Sequence, residues 1–419
     1  MAFVAPAGTP LSLGDLTTGA LRSLPANAMA QLEWRLCETA ARERAWLYST
    51  GRAAMTLAFE AMKRAARDPR RVEVVVPGYT CYSVPAAVER AGLIPRLCDV
   101  DPATLSPDSE SLSRIDFTRV LSIVSANLYG LPNALQDMEN VTRTHGVFML
   151  DDAAQALGAT NQGRPVGSFG EVGLYSFDKG KNITTLQGGV LVADAGSLSE
   201  AIDTVASELV APSPVGTIGI LCKLPAYALL LRPRFYAAVR RLPLGLGLTP
   251  YETSYPMAPF SGALAGLAAL QLERIAEINR ARIGNADRLR EALADLPGLS
   301  APGVLPGALP AYVRYPVYVE PARRGHFITA LERAGIGATA SYPRALADVP
   351  EVARCLPKDQ RSTPGAREVA SRIVTLPTHA YCPPDLGQRV AEVARRVLIS
   401  NVRLGGAVFQ SSAAESVRE

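Results

Sequence analysis

The alternation of apolar strands with helical stretches between residues 72 and 193 constrains the fold more than any other feature of this chain. VEVVVP (72–77), IPRLCDV (94–100), RVLSIVSAN (119–127), GVFMLDD (146–152), EVGLYSF (171–177) and GGVLVA (188–193) read as strands. Several carry apolar residues at successive positions, the pattern of a strand buried on both faces. Helix-like runs lie between them. Gly51 opens RAAMTLAFEAMKRAAR, a second run covers about 83–92, and a third lies near 134–145. Such an order folds as an α/β structure, a mainly parallel sheet flanked by helices. Chemistry in these sheets collects just beyond the strand ends. The polar residues at 151–155 and 176–182 fall there.

The rest of the chain reads as additions to that layer. Residues 1–25 are rich in Pro and Gly and read as an irregular N-terminal arm, followed by helical periodicity over 26–45. A large domain is expected over 26–260. A linking helix, with a long helical pattern over 261–295, and a smaller C-terminal α+β domain fill 261–402, and 403–419 is expected to be a frayed tail. In the small domain, 311–320 reads as a strand, 321–335 as a helix, TASYP as strand-like and 384–399 as a final helix.

The stretch 209–251 stands apart. It carries Lys223, Arg232, Arg234, Arg240 and Arg241 with no acidic residue, among apolar runs such as YALLL and LPLGLGL. Pro225 and Pro233 are expected to interrupt any long helix there. Two readings are open. One is a dimer-interface insertion with solvated arginines. The other is a peripheral membrane patch, apolar side chains entering the headgroup boundary and basic ones meeting anionic lipid.

Composition excludes several classes. A net charge of +4 over 419 residues, with 6% aromatics and no long basic run, does not suit nucleic-acid binding. The six cysteines are scattered and form no CxxC pair, so neither a metal site nor a disulfide framework is expected, and free thiols in a reducing compartment are. No charged-then-apolar leader and no run of eighteen apolar residues is seen. A cytoplasmic protein is the expectation, peripheral at a membrane under the second reading above.

The candidate chemistry lies in Asp152, Gln155, Ser176 and Lys181. Asp152 ends an apolar strand, and a buried carboxylate needs a cationic or donor partner. A protonated pyridine nitrogen would serve. Lys181 follows the strand ending at Phe177, and a lysine of lowered pKa forms an imine with an aldehyde cofactor. Ser176 can donate to a phosphate. Each has a plainer reading alone: Asp152 can cap a helix, and Lys181 can be a solvated loop lysine. The constellation points to a cofactor site.

At these residues the chain resembles a known family. LDDAAQALGA, GRPVGSFGEVGLYSFDKGKN and QGGVLVA are similar to the core signature of the DegT/StrS aminotransferases, over residues 49–193 and more loosely through RAGIGATASYP and VTLPTHA. The resemblance implies the PLP-dependent transferase type I fold, pyridoxal 5'-phosphate (PLP) as cofactor and a Schiff base on Lys181. It also implies Asp152 on the ring nitrogen, Gln155 near the ring hydroxyl, and a phosphate site from Ser176 and Gly51, Arg52 and Ala53 at a helix N-terminus. Asn182 falls beside the lysine. Cys81 stands where the family has a large stacking aromatic, with Tyr79 and Tyr82 nearby. Asn127 replaces the histidine of the family's HLYG loop, which also holds Tyr129. Met257, Ala258, Pro259 and Phe260 replace its Asn-Tyr-Arg-Met segment, and Ser341 replaces a histidine. Arg314 and His379 are further candidates near substrate, while His145 and His326 read as surface residues. The implied function is transfer of an amino group from an amino acid, glutamate in most of the family, to a keto-sugar, often nucleotide-linked, or a related ketone, by a homodimer. A dehydratase or lyase reaction and a non-catalytic PLP-binding partner are the alternatives. Lys181 argues against the dehydratase branch, which carries histidine there.

Overall fold

The computed structural model describes residues 3–239, 250–356 and 358–399. Its centre is a seven-stranded sheet built from β1 (Arg44–Tyr48), β2 (Glu73–Pro77), β3 (Ile94–Cys98), β4 (Val120–Ala126), β5 (Phe148–Asp152), β6 (Val172–Ser176) and β7 (Gly189–Ala193). The spatial order is β1-β7-β6-β5-β4-β2-β3. Pairings from β3 through β2, β4 and β5 to β6 are parallel, while β7 runs antiparallel to both β6 and β1. The fold class expected from the strand–helix alternation is therefore present. The sequence reading did not include β1. It is short, and its cross-strand partner β7 supplies the register that makes it a strand.

Helices cover both faces. One layer holds α1 (Leu13–Arg22), α2 (Ala28–Ala40) and, later in the chain, the helix Ala265–Glu273. The other holds α3 (Gly51–Ala65), α4 (Ser83–Arg90) and a helix at Ser197–Ser207. Strand residues are buried on both sides, which explains the continuous apolar runs. The reading of 1–25 as irregular is corrected by α1. Ser12 Oγ accepts from Asp15 N at 3.0 Å and Asp15 Oδ2 accepts from Ser12 N at 2.8 Å, a reciprocal cap that starts the helix. The Ser-x-x-Asp spacing of that box was present in the sequence.

After α5 (Leu135–His145) and α6 (Ser197–Ser207) come α7 (Pro214–Leu230) and α8 (Pro233–Val239). Pro225 does not break α7, contrary to expectation. It lies on the exposed side, where water can reach the carbonyl it leaves free, and Pro233 opens α8 at a position that needs no N–H acceptor. Residues 240–249, with Arg240 and Arg241, and the expected tail 403–419 lie outside the described residues. The long helix expected over 261–295 is two, α9 (Ala265–Glu273) and α10 (Ile275–Leu293), divided at Arg274.

The C-terminal part has its own core around an antiparallel sheet of β8 (Leu299–Ser300), β9 (Tyr315–Val319) and β10 (Ile373–Leu376), in the order β8-β9-β10. Helices α11 (Pro321–Arg333), α12 (Pro364–Arg372) and α13 (Leu386–Ala394) pack with it, and α13 lies along α10. The strand-like TASYP contributes a single bridge, Thr339 to Thr375. The N-terminal arm reaches this unit, pairing Val4 with Ile336.

Gly173 in β6 shows how tightly the centre closes. A Cβ there would stand 1.9 Å from the Gly167 carbonyl oxygen and 2.8 Å from Val192 Cγ2. The first contact is backbone and cannot rotate away. Gly173→Ala should therefore lower stability by about 2 kcal/mol or more, within the range for overpacked cores. The measurement is the shift of the urea midpoint against the parent protein. An unchanged midpoint would mean that the Gly167 turn moves freely.

Candidate active site

The strand ends of β5 and β6 bring two acidic residues, a serine and a lysine to one edge of the sheet. Successive side chains of a strand point to opposite faces, so Asp151 and Asp152 have different fates. Asp151 is fully buried and accepts from Gly167 N (2.5 Å), Asn127 Nδ2 (2.7 Å) and Phe169 N (3.3 Å). Burial pushes its carboxyl up to about 7, with the three donors pulling the other way. Asp152 faces a pocket and accepts from Ala154 N at 3.0 Å. Burial raises its pKa, opposed by that N–H and by the Lys181 charge.

Lys181 sits in the loop after β6, where Gly180 takes a left-handed turn at φ 75°. Its carbonyl is gripped from outside the loop. Thr9 Oγ1 of the N-terminal arm donates to it, and so does Arg282 Nη2 of α10 at 3.2 Å. Its neighbour Asn182 turns inward and donates to Asn279 Oδ1 at 3.0 Å. The lysine backbone is thus held by parts of the chain far away in sequence.

The N-terminus of α3 closes the pocket. Thr50 caps the helix, its Oγ1 accepting from Ala53 N at 3.1 Å. The N–H groups of Gly51 and Arg52 have no acceptor within the helix. A Cβ at Gly51 would stand 3.2 Å from Ser176 Oγ and 3.3 Å from its Cβ, tighter than ordinary contact, so a side chain there would press on the serine. Two N–H donors, a helix dipole and a serine hydroxyl form a cradle suited to an anion. Arg52 pairs with Glu252 at 3.1 Å and lies over the Tyr255 ring.

The pocket encloses about 380 Å³ and is lined by Gly51, Arg52, Cys81, Asp152, Gln155, Ser176, Lys181 and Arg314, together with Tyr342. Gln155 Oε1 accepts from Tyr129 N at 3.0 Å, and its Nε2 donates to the Tyr342 hydroxyl at 3.2 Å. Arg314 Nη1 donates to Thr339 Oγ1 at 3.2 Å, and no carboxylate pairs with it among the described residues.

Other candidates stand outside this lining. Ala53 is buried in α3, and Asn127 supports Asp151 and the Asp152 carbonyl. Tyr129 is buried, its hydroxyl 2.9 Å from that of Tyr79. The Tyr82 hydroxyl donates to the Arg344 carbonyl at 3.2 Å, and the Tyr82 ring tilts against Tyr342. The segment at 257–260 runs beside β1, with Ser49 N donating to the Ala258 carbonyl and Phe260 N to that of Leu47. His145 stacks on Phe117, and His326 is exposed on α11. His379 is away from the pocket and buried. Its Nε2 donates to the Ala5 carbonyl at 2.9 Å and its Nδ1 accepts from Tyr381 N at 3.3 Å, a tautomer assigned from those partners. Tyr342, Thr50, Thr9 and Arg282 were not singled out from the sequence. Only Thr50, directly before a helix start, carried a signal there.

A model of the DegT/DnrJ/EryC1/StrS aminotransferase family matches residues 16–211 and 254–395. An L-glutamine:scyllo-inosose aminotransferase of Streptomyces griseus is 31% identical over 274 residues, 64% of this chain and 57% of that protein. A GDP-perosamine synthase of Caulobacter vibrioides is 33% identical over 151 residues, 36% of this chain and 40% of that protein. The matched stretches thus span little more than half of the first curated relative and less of the second. Among solved structures, the aminotransferase TlmJ from Streptoalloteichus hindustanus superposes with a TM-score of 0.77 at 22% identity, over 95% of this chain and 100% of that one. DesI, solved in the presence of its TDP-sugar product, gives 0.75 at 23% identity over 97% and 95%. These likenesses show the fold.

The burial of His379 has a consequence that can be measured. It lowers the ring pKa from 6.5 to about 4, so the fold holds the neutral form. An unfolded histidine takes up its proton near 6.5. The stabilisation is complete above that pH and is lost as the pH falls through 6.5 toward 4. Asp151, with its raised pKa, runs the other way over an overlapping window, so the comparison must be between the parent and His379→Gln. The parent's advantage over this variant should shrink by up to about 3 kcal/mol between pH 7 and pH 4.5. Paired denaturant titrations read it, and a gap independent of pH would mean that the ring titrates alike in the folded and unfolded chain.

Proposed function

The chain belongs to the DegT/DnrJ/EryC1/StrS aminotransferase family, and from that premise we propose that it holds PLP on Lys181 and moves an amino group from an amino acid to a keto-sugar or a related cyclic ketone. The observation that carries this reading is the meeting of Lys181, Asp152, Ser176 and the α3 N-terminus in one pocket. The donor set suits the cofactor group by group. The cradle of Gly51, Arg52 and Ser176 suits a phosphate. Asp152, its charge disfavoured by burial, suits a cationic ring nitrogen.

When bound, PLP supplies an electron-withdrawing ring that acidifies the carbon next to the donor's nitrogen. The remaining roles belong to the chain. The Asp152 carboxylate would favour a proton on the ring nitrogen. The Lys181 amine would hold the cofactor and would then be placed to take the proton from the donor's acidified carbon, its loop held by Thr9 and Arg282. Gln155 ties Tyr342 to the pocket wall and would be the residue to meet the ring hydroxyl. Where the family carries a stacking aromatic this pocket has Cys81, and its aromatic wall is Tyr342 from the C-terminal part. Arg314, with no carboxylate of its own among the described residues, receives the donor's carboxylate. The names of the relatives support glutamine as donor and a cyclic ketone or nucleotide-linked sugar as acceptor, beside the glutamate expected from the family at large. The working unit is a homodimer, as type I folds build each site at a subunit boundary.

The test is an absorbance spectrum of the protein with PLP, before and after glutamate or glutamine. A visible band that bleaches with either donor is expected, and Lys181→Ala should lack both band and turnover. A band that no amino donor alters would sink the reading in favour of another PLP reaction or a non-catalytic role. Arg314→Gln should keep the band and raise KM for the donor about tenfold or more, the worth of one charge-assisted hydrogen bond. An unchanged donor KM would assign Arg314 elsewhere.

A further inference from the structure

Helix α7 carries apolar side chains on both its inner and outer sides, with Lys223 its one charged residue, yet only the inner side is covered. Leu224, Ala228 and the following Leu231 are buried, and Ile220 and Tyr227 pack against the main core. The opposite side carries Val215, Ile218, Cys222, Pro225 and Leu229, all exposed, with Val215 at 79% and Ile218 at 59%. A surface helix ordinarily turns a polar face outward. This one has an apolar stripe inside and another outside. Phe235 continues the outer stripe onto α8, which meets α7 at an angle of 109°.

The charges carried by this segment have one sign. No acidic residue occurs from 209 to 251. Lys223, Arg232 and Arg234 are exposed, and no ion pair joins them among the described residues. The family model matches the chain on either side of 212–253 but not within it, so this element is additional to what the family shares. Its inner side is anchored to the site: the Tyr227 hydroxyl accepts from Thr9 N at 3.0 Å, and Thr9 donates to the Lys181 carbonyl.

We propose that α7 and α8 form a dock for an anionic lipid surface, with the outer stripe entering the headgroup boundary and the basic side chains meeting lipid phosphates. A second copy of the chain fits less well. Two such faces meeting about a two-fold axis would set the segment's cations against one another with no carboxylate of the segment to pair them. The element rests on the bilayer and does not cross it. Among the described residues no single helix is long and apolar enough to span, and seventeen residues of α7 extend about 25 Å against a hydrocarbon core of about 30 Å.

The experiment is flotation of the full-length PLP-loaded protein with vesicles of phosphatidylcholine alone or with about a third phosphatidylglycerol, at low and high salt. Binding should favour the anionic vesicles and weaken in high salt. Ile218→Asp should abolish it, and Lys223→Glu should weaken it about fivefold or more, since a basic residue near such a surface is lost and an acid gained. Both positions are exposed and outside the pocket, so the spectral response to the amino donor should persist and report that the variants fold. No flotation with anionic vesicles overturns the proposal, as does flotation that both variants retain. If Ile218→Asp instead halves the mass seen by light scattering in the absence of lipid, the face is a subunit contact and the proposal is wrong.

Discussion

Arg282 is the side chain on which the arrangement of this molecule turns. It lies on α10 at 1% exposure, and no carboxylate pairs with it among the described residues. Its donors meet oxygens of four separate segments: Gly8 and Thr9 of the arm, Lys181 of the loop, Val313 before β9, and Thr378 after β10. Burial lowers its pKa to about 10, so it remains charged at neutral pH. A guanidinium deprived of water is costly to bury, and neutral oxygens from several directions offset that cost. Arm, lysine loop and C-terminal part are therefore ordered together around one fork of donors.

The same logic of neutral support recurs around the two aspartates. Asp151 takes three N–H donors and holds the Gly167–Phe169 turn against β5, while Asn127 ties it to the Asp152 carbonyl. Asp152 is left to the pocket with a single backbone donor. One carboxylate is saturated by the protein, and its neighbour is turned to the pocket with little protein support. The alternation of side chains along a strand is what separates the two roles.

Much of this was legible beforehand. The strands of the main sheet show as apolar runs because both faces are covered, and Gly51 and Thr50 show because helix starts have few acceptable residues. Asp152, Gln155, Ser176 and Lys181 are close in sequence and stand at consecutive strand ends, so their meeting follows from the topology. Less was legible where the cause is remote. β1 is a strand because β7 pairs with it. Pro225 is tolerated in α7 because its side of the helix is open. Tyr342 lines the pocket, and His379 does not, because of how the C-terminal part folds back.

By itself, the amino-acid sequence determined the layered α/β fold, the strand ends that hold the candidate residues and the acid-free character of 209–251. These depend on periodicity and composition, which act over a few residues. Only the tertiary structure decided which polar groups face the pocket, which are spent on support, and that the outer stripe of α7 is left uncovered. Those outcomes depend on which distant surfaces meet, and burial is a property of the meeting, not of the residue.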